Sequence, residues 1–477
     1  MADAPSLAAR IDAALSPVSD AVSSVIFFSI DVFGVSLPIV VVWLMAAGVV
    51  VTVSLGFINF RGFSHAWGLI LRPREQPGAD GEISHFQALS AALSGTIGLG
   101  NIASVPLAIV LGGPGAVFWM ILAGFFGMST KFAECALSVK YRRVLPDGRT
   151  IGGPMYYIEA EFARRGWKTF GKAAAVFFAI MTVGGSISLF QVNQSHAQFS
   201  NVTGISAPVT FGVIMNLFVA VVVFGGIRRI GYVAGRLVPL MAIIYLGAAS
   251  TIIILNAAAI PDAIATIFRS AFGLDAVAGG AVGALVNGMR RATYSSEAGV
   301  GSAAIAHSAV KTAEPMTEGY VALLEPFIDT IVVCTMTSLV VILTGAYLPY
   351  MTAENVQGIQ ITSNAFEQTF SWFPIVLLVS STLFAFTSVV SWVFYGAQAV
   401  GYLFDGSVLA DRVFKALICI ILATGAAVSI GAILDFIDSM LFAMAIPNIL
   451  ALYLLLPELK REVADYEART GIQKAAA

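Results

Sequence analysis

Apolar residues run along this chain in blocks of about 20, the length a helix needs to cross a bilayer, with polar links between them. Eleven such blocks are predicted, at 37–57, 86–111, 114–137, 172–196, 207–225, 235–256, 276–307, 318–345, 373–402, 413–431 and 434–456. Two of them are interrupted where lipid tolerates an unpaired backbone group least. The first contains SGTIGLGN at 94–101 and the second TYSSEAGVGS at 293–302. When the ten spans after the first are numbered from 1, the interruptions fall in spans 1 and 6, which start on opposite sides of the membrane. The predicted fold class is therefore an all-α polytopic membrane protein with eleven transmembrane helices. Ten of them form a five-plus-five inverted repeat with broken helices, preceded by one extra helix, the layout of secondary transporters whose sites lie at discontinuous helices.

Basic residues set the orientation, because Lys and Arg concentrate in cytoplasmic loops. With the N-terminus outside, 21 of the 26 Lys and Arg fall in inside segments, two (Arg10 and Arg269) fall outside, and Lys131, Arg290 and Arg291 lie within spans. The predicted organisation is an extracytoplasmic or interfacial segment at 1–36, a single transmembrane domain at 37–456 and a charged cytoplasmic tail at 457–477, in the cell (inner) membrane. The N-terminus has no basic region of the kind a signal peptide carries. AVSSVIFFSIDVFGV, interrupted by Asp31, is expected at the interface or against the bundle. The loop at 346–372 has no Lys or Arg and is placed outside.

Composition narrows the function. The chain has 477 residues, 58% apolar and only 11% charged, with a mean hydropathy of +0.87, which excludes an ordinary soluble domain. A net charge of −2 leaves no basic face for nucleic acid. Cys135, Cys334 and Cys419 stand apart, as do His65, His85, His196 and His307, so neither a disulfide framework nor a zinc or haem site is expected, and no organic cofactor.

The chemistry of a broken helix follows from backbone accounting. Unwinding frees N–H and C=O groups at a cost of several kcal/mol each unless something occupies the break. The free N–H groups at the start of the second half-helix suit a carboxylate, and the carbonyls ending the first half-helix suit a cation. Gly95, Gly98 and Gly100 permit the turn and close approach of a ligand, while Thr96 and Asn101 add side-chain oxygens. The competing reading of one such glycine run is helix packing of the GxxxG type; a second break in the matching span, with Ser295, Ser296 and Glu297 at its centre, favours a site.

The stretches SSEAGVGSA, GLGNIASVPLAIVLGGPGAVFWMILAGFFGMSTKFAEC, VKYRR with GGPMYY after it, FQVNQ and FAFTSVVSWVFYG resemble, in order, the signature segments of the alanine or glycine:cation symporter family. The resemblance runs from about Phe60 to Leu456. It implies a leucine-transporter-type fold and uptake of a small neutral amino acid, alanine- or glycine-like, coupled to sodium by alternating access; coupling to protons or another cation, with a different small amino acid, is the alternative. By the same resemblance the substrate set is Thr96, Gly98, Leu99, Gly100 and Asn101 in the first break, Gln191 in span 3, Tyr294 and Ser295 in span 6, and Trp392 in span 8. Sodium is assigned to the carbonyls of Ser94 and Ile97 with the hydroxyls of Thr387 and Ser388, hard oxygen donors suited to a hard cation. Many family members carry GTGN where this chain has Gly98-Leu99-Gly100-Asn101, so one hydroxyl is missing from the break. Thr387 and Ser388 could instead bond back to the preceding turn, Trp392 could be core, and Gln191 could be an interhelical hydrogen bond.

Charges inside the membrane are costly and face a cavity or one another. Arg290 and Arg291 precede the second break, and Glu297 is expected to pair with one of them or to cap freed amides, as structural charges. Lys131 and Glu134, one turn apart, are expected to pair. Glu325 and Asp329 have no partner that the sequence names. A channel would show rings of carbonyls or charges from repeated subunits, and a membrane enzyme would need a nucleophile and base or a metal cluster; neither pattern is present. The implied partners are the amino acid, sodium and lipid, for a monomer.

Overall fold

The protein is described by a computed structural model covering residues 17, 20–32, 35–72, 79–273, 280–353, 356–427 and 430–472. Much of the predicted 1–36 segment, Arg74 and the last five residues of the predicted tail lie outside the described residues. A short antiparallel hairpin, β1 (Ser29–Val32) and β2 (Val35–Pro38), leads into α1 (Ile39–Ser54). The hairpin sits against the bundle, with Phe27 edge-on to Phe442 at 5.2 Å between ring centroids.

The first interrupted segment is α2 (His85–Thr96), a π turn at Gly100–Ser104 and α3 (Val105–Gly112). Helix α2 starts at a capping box in which the Ser84 hydroxyl accepts from the Gln87 amide while the Gln87 side chain accepts from the Ser84 amide, satisfying two amides that have no partner within the helix. Pro106 falls in the first turn of α3, where a missing N–H costs nothing. The two halves bend by 44°.

The chain continues through α4 (Ala116–Lys140), the hairpin β3 (Arg143–Val144) and β4 (Thr150–Ile151), α5 (Pro154–Arg164), α6 (Lys168–Gly185), α7 (Leu189–Thr203), α8 (Pro208–Val223), α9 (Gly226–Leu255) and the amphipathic α10 (Ile260–Ala271). The second interrupted segment is α11 (Gly280–Ser296) and α12 (Ser302–His307). After it come α13 (Pro315–Ala322), a π turn at Phe327–Cys334, α14 (Thr335–Thr344), α15 (Gly358–Glu367), α16 (Phe373–Leu403), α17 (Val408–Ala423) and α18 (Ile430–Thr470).

Helices lie over each of the eleven predicted segments. Six, among the described residues, are long and apolar enough to cross a bilayer, and the bent pair α2 and α3 makes seven if counted as one span. Helices α1 and α8, with 16 residues each, reach only about 24 Å at 1.5 Å per residue. Two regions outside the predicted spans also carry helix. The 346–372 segment contains α15, and α18 runs without interruption into the predicted tail, where Glu467 binds Arg61 at 2.9 Å and Arg469 binds Glu314 at 2.8 Å. The broken helices are sandwiched between α4 and α16, which bury most of their polar residues at the middle of the bundle.

Candidate functional site

Both predicted breaks exist and flank one cavity. At the first, regular helix ends at Thr96, and Ile97, Gly98 and Leu99 carry the chain into the π turn. Its freed groups are satisfied by neutral partners. The Leu99 amide donates to Gln191 Oε1 at 2.9 Å, and the Gly98 amide donates to Asn101 Oδ1 at 3.1 Å. Asn101 Nδ2 then reaches across to span 6, donating to Ser295 Oγ at 2.9 Å and to the Asp329 carbonyl at 3.0 Å. The helix α15 closes over this segment: Thr362 donates to the Ile102 carbonyl at 2.6 Å, and Gly358 lies so near Ala103 that a Cβ there would stand 1.8 Å from its carbonyl oxygen. Nothing in the 346–372 sequence marked it as more than a loop.

The glycines of the break are fixed by close approach. A Cβ on Gly98 would come within 2.5 Å of Ser388 Oγ and 3.0 Å of the Gln191 amide group, one on Gly95 within 2.9 Å of the Tyr395 hydroxyl, and one on Gly100 within 3.1 Å of the Tyr294 ring. A methyl group at Gly98 would thus crowd Ser388 and the Gln191 amide group.

Span 8 divides the expected hydroxyl pair. Thr387 bonds back to the carbonyls of Leu383 at 3.0 Å and Phe384 at 3.2 Å and faces Met241 of α9, so its hydroxyl is turned away from the break. Ser388 is buried against Gly98, and its Oγ has no hydrogen-bond partner among the described residues. Ser391, one turn on, joins it: its hydroxyl meets that of Ser94 and donates to the Ala91 carbonyl at 2.9 Å. The i, i+3 spacing of Ser388 and Ser391 was the signal for that contact. An unpartnered buried hydroxyl beside a broken helix fits a bound hard cation, since a cation would supply the partner that the protein does not.

The cavity is lined by Thr96 and Gly100 of the first break, Gln191, Tyr294, Glu297 and Trp392, with Gly95, Gly185, Ser188, Ile437 and Leu441 completing its walls. Gly98, Leu99, Asn101 and Ser295 stand behind that lining. Leu99 is fully buried, so the position where the family pattern carries threonine contributes backbone here. Gly185 and Ser188 come from the bend between α6 and α7, where Trp392 packs within 3.1 Å of a Cβ built on Gly185. The GGSIS stretch at 184–188 was the signal for that wall, and Ile437 and Leu441 on α18 had none.

The second break lies later than expected. Tyr294, Ser295 and Ser296 are still helical, and the unwound residues are 297–301, with Glu297, Gly299 and Gly301 at φ of 52°, 86° and 88°. Here the groups are charged. Glu297 accepts from the Ser302 hydroxyl, and Asn448 Nδ2 donates to the Gly299 carbonyl at 2.9 Å and to Glu134 Oε1 at 2.6 Å. Two expected pairings are corrected. Arg290 and Arg291 both bind Asp438 on α18, not Glu297. Lys131 binds Glu325 at 2.9 Å, not Glu134, because a residue on a facing helix can bring a carboxylate end-on to the ammonium, whereas Glu134 is drawn to Asn448. Glu325 thereby gains a partner, and Asp329 accepts from Thr330. Among the described residues no cluster of His, Cys, Asp and Glu could hold a metal ion.

The fold is similar to that of MhsT, solved in complex with L-phenylalanine, with a TM-score of 0.53, 16% identity, and 81% of this chain and 99% of that one covered; this is the leucine-transporter-type fold. The sodium/alanine symporter AgcS of Methanococcus maripaludis is 36% identical, over 88% of this chain and 92% of its own. An uncharacterized transporter of Haemophilus influenzae is 37% identical, over 94% and 97% respectively. The model of the sodium:alanine symporter family matches residues 20–476. The chain belongs to the sodium:alanine symporter family, and it is a multi-pass membrane transporter of the sodium-coupled amino-acid class, not an enzyme.

Proposed function

We propose that the protein imports a small neutral amino acid, alanine- or glycine-like, together with sodium, by alternating access across the cell (inner) membrane. The observation that carries this reading is the buried, unpartnered Ser388 hydroxyl against Gly98, at a break whose other polar groups are all neutral. Sodium takes Ser388 Oγ and the carbonyls of Ser94 and Ile97, and Thr387, with its hydroxyl committed to its own helix, leaves the ligand set. The substrate carboxylate approaches the amides of the first break near Thr96 and Gly100. Its side chain points toward Tyr294, Trp392 and the Gly185 wall, which leaves room for little more than a methyl group.

Eleven spans, a five-plus-five inverted repeat, the N-terminus outside, the C-terminus inside and a monomeric unit complete the proposal. Sodium and amino acid order the same unwound segment, so each raises the other's affinity, and no covalent step is involved. The second reading, proton coupling at Glu297, is favoured by the single fact that its carboxylate lines the cavity. The test is uptake of labelled L- and D-alanine, glycine, serine and larger amino acids into proteoliposomes, with and without an inward sodium gradient. Saturable, sodium-dependent uptake confined to the small members is expected, and uptake that is flat across the panel would sink the proposal.

A further inference from the structure

On the face that the basic-residue count assigns to the cytoplasm, the two broken segments are joined at their ends. Just before α2, the Glu82 amide donates to the Ala309 carbonyl at 2.8 Å, and the Lys311 amide donates to the Ile83 carbonyl at 2.7 Å, pairing Ile83 with Val310. Arg142 spans the seam, donating to the carbonyls of Ser308 at 3.0 Å, Asp80 at 2.7 Å and Thr312 at 2.8 Å. Above the seam stands one carboxylate, Glu318 on α13. Its Oε2 meets Nδ1 of His85, the first residue of α2, and its Oε1 lies 2.5 Å from Nδ1 of His307, the last residue of α12. One side chain thus clasps the inner half of both broken helices.

The other edge of the His307 ring also faces a carboxylate. His307 Nε2 and Glu325 Oε2 stand 3.5 Å apart, and among the described residues neither has another hydrogen-bond partner. A neutral imidazole carries one N–H and one lone pair, so with a carboxylate at each nitrogen it would aim its lone pair at an anion. The imidazolium, with an N–H at both positions, satisfies both. Charge agrees in sign: in this fully buried group the carboxylates of Glu318 and Glu325 face one ammonium, Lys131, and a buried carboxylate without a cationic partner is costly. A proton on His307 gives Glu318 and Glu325 a shared cationic partner. The groups that face this proton from the neighbouring elements are Glu318 and His85 on one side, and Glu325 with Lys131 on the other. Glu134, Cys135 and Glu297 lie behind them, and Arg142 lies near Glu318.

The geometry points to a proton-binding site at His307, held between Glu318 and Glu325, that locks the inner gate: one proton is bound when the gate is closed and is released to water when α12 parts from α13. The ligand is a proton alone, passing from the imidazolium N–H to solvent. The gate is shut at low pH on that face and is freed as pH rises. This inference rests on the transport reading only for the gate's purpose; the site itself is tested without transport.

Cys135 reports the gate. It is buried against Ala304 of α12 and Ala322 of α13, so parting those helices exposes it. In a C334A/C419A background, the rate of Cys135 alkylation by N-ethylmaleimide is measured in proteoliposomes from pH 5.5 to 8.5, with and without His307→Gln. The ratio of the two rates cancels the thiol's own ionisation. It is expected to rise with pH, approaching about tenfold per pH unit on the steepest limb, the slope of one linked proton. His85→Gln, which leaves both carboxylates on His307, keeps the rise. Glu325→Gln moves it to lower pH, and if His307→Gln does not fold the ratio is taken between the native protein and Glu325→Gln, where it is expected to change with pH. A ratio constant across the range overturns the site, as does a rise abolished by His85→Gln alone. Constant labelling beside intact sodium-driven uptake removes the gate and leaves the transport reading standing, whereas a pH-dependent ratio without uptake keeps the gate and removes the transport reading.

Discussion

The two breaks solve the same backbone problem with opposite chemistry. The first is lined by neutral groups: Gln191 and Asn101 take the amides of Leu99 and Gly98, and the Ser388 hydroxyl lies against Gly98 with no hydrogen-bond partner among the described residues. The second is tied into buried charge: Glu297 to Ser302, Gly299 through Asn448 to Glu134, and Lys131 to Glu325 close by. Neutral dipoles can rearrange around a ligand cheaply. Paired charges in a low-dielectric interior cannot, because parting them exposes each to the full cost of burial. In the proposed function this difference gives ligand binding to the first break and mechanical anchoring to the second.

That division can be broken by substitution, and the largest effect is expected in the anchor. Lys131→Met leaves Glu325 without its ammonium, a loss of about 3–5 kcal/mol for a broken buried pair, seen as a marked fall in the thermal unfolding midpoint in detergent. Restoring neutrality with Lys131→Met/Glu325→Gln should recover part of it; a double variant no better than the single one would show that charge pairing is not what holds this region. Asn101→Ala, at the neutral break, leaves the Gly98 amide without its acceptor and costs about 1–3 kcal/mol, and uptake should fall further than stability does. Ser388→Ala should raise the half-saturating sodium concentration by about tenfold, equivalent to ~1.4 kcal/mol, while Thr387→Ala leaves it nearly unchanged. Equal effects of the two would return Thr387 to the ion site.

The smallest effect belongs to the periphery. Hydrogen bonding from Arg469 holds the Glu314 carboxyl below its usual range. A lowered carboxyl value means that the pair contributes above the unfolded-state value and is lost as pH falls through the lowered one. Because Arg469 is largely exposed and Glu314 partly so, screening leaves little of it. Arg469→Ala should therefore shift the unfolding midpoint barely at neutral pH and not at all in acid.

The breaks were legible because glycine, asparagine and serine inside an apolar run have few other uses. Gln191, Tyr294 and Trp392 could be placed at the cavity through family resemblance, and the cavity lining includes all three. The charge network was not legible. Spacing along one helix suggested Lys131 with Glu134 and Glu297 with an arginine, but the partners came from other helices, Glu325 and Asp438, at separations of 194 and 147 residues from Lys131 and Arg291. Local periodicity carries no information at that range. Likewise the hydroxyl directions of Thr387 and Ser388 depend on which neighbour each meets, Met241 or Gly98, and two adjacent polar residues look alike until the bundle is assembled.

The most direct measurement is alanine uptake into proteoliposomes under two opposed conditions, an inward sodium gradient at equal pH and an inward proton gradient without sodium, for the native protein and for Glu297→Gln. The account predicts that uptake follows the sodium gradient and survives in the variant wherever the variant folds, because Glu297 anchors and does not couple. Sodium-independent uptake driven by the proton gradient, and abolished by Glu297→Gln, would contradict it.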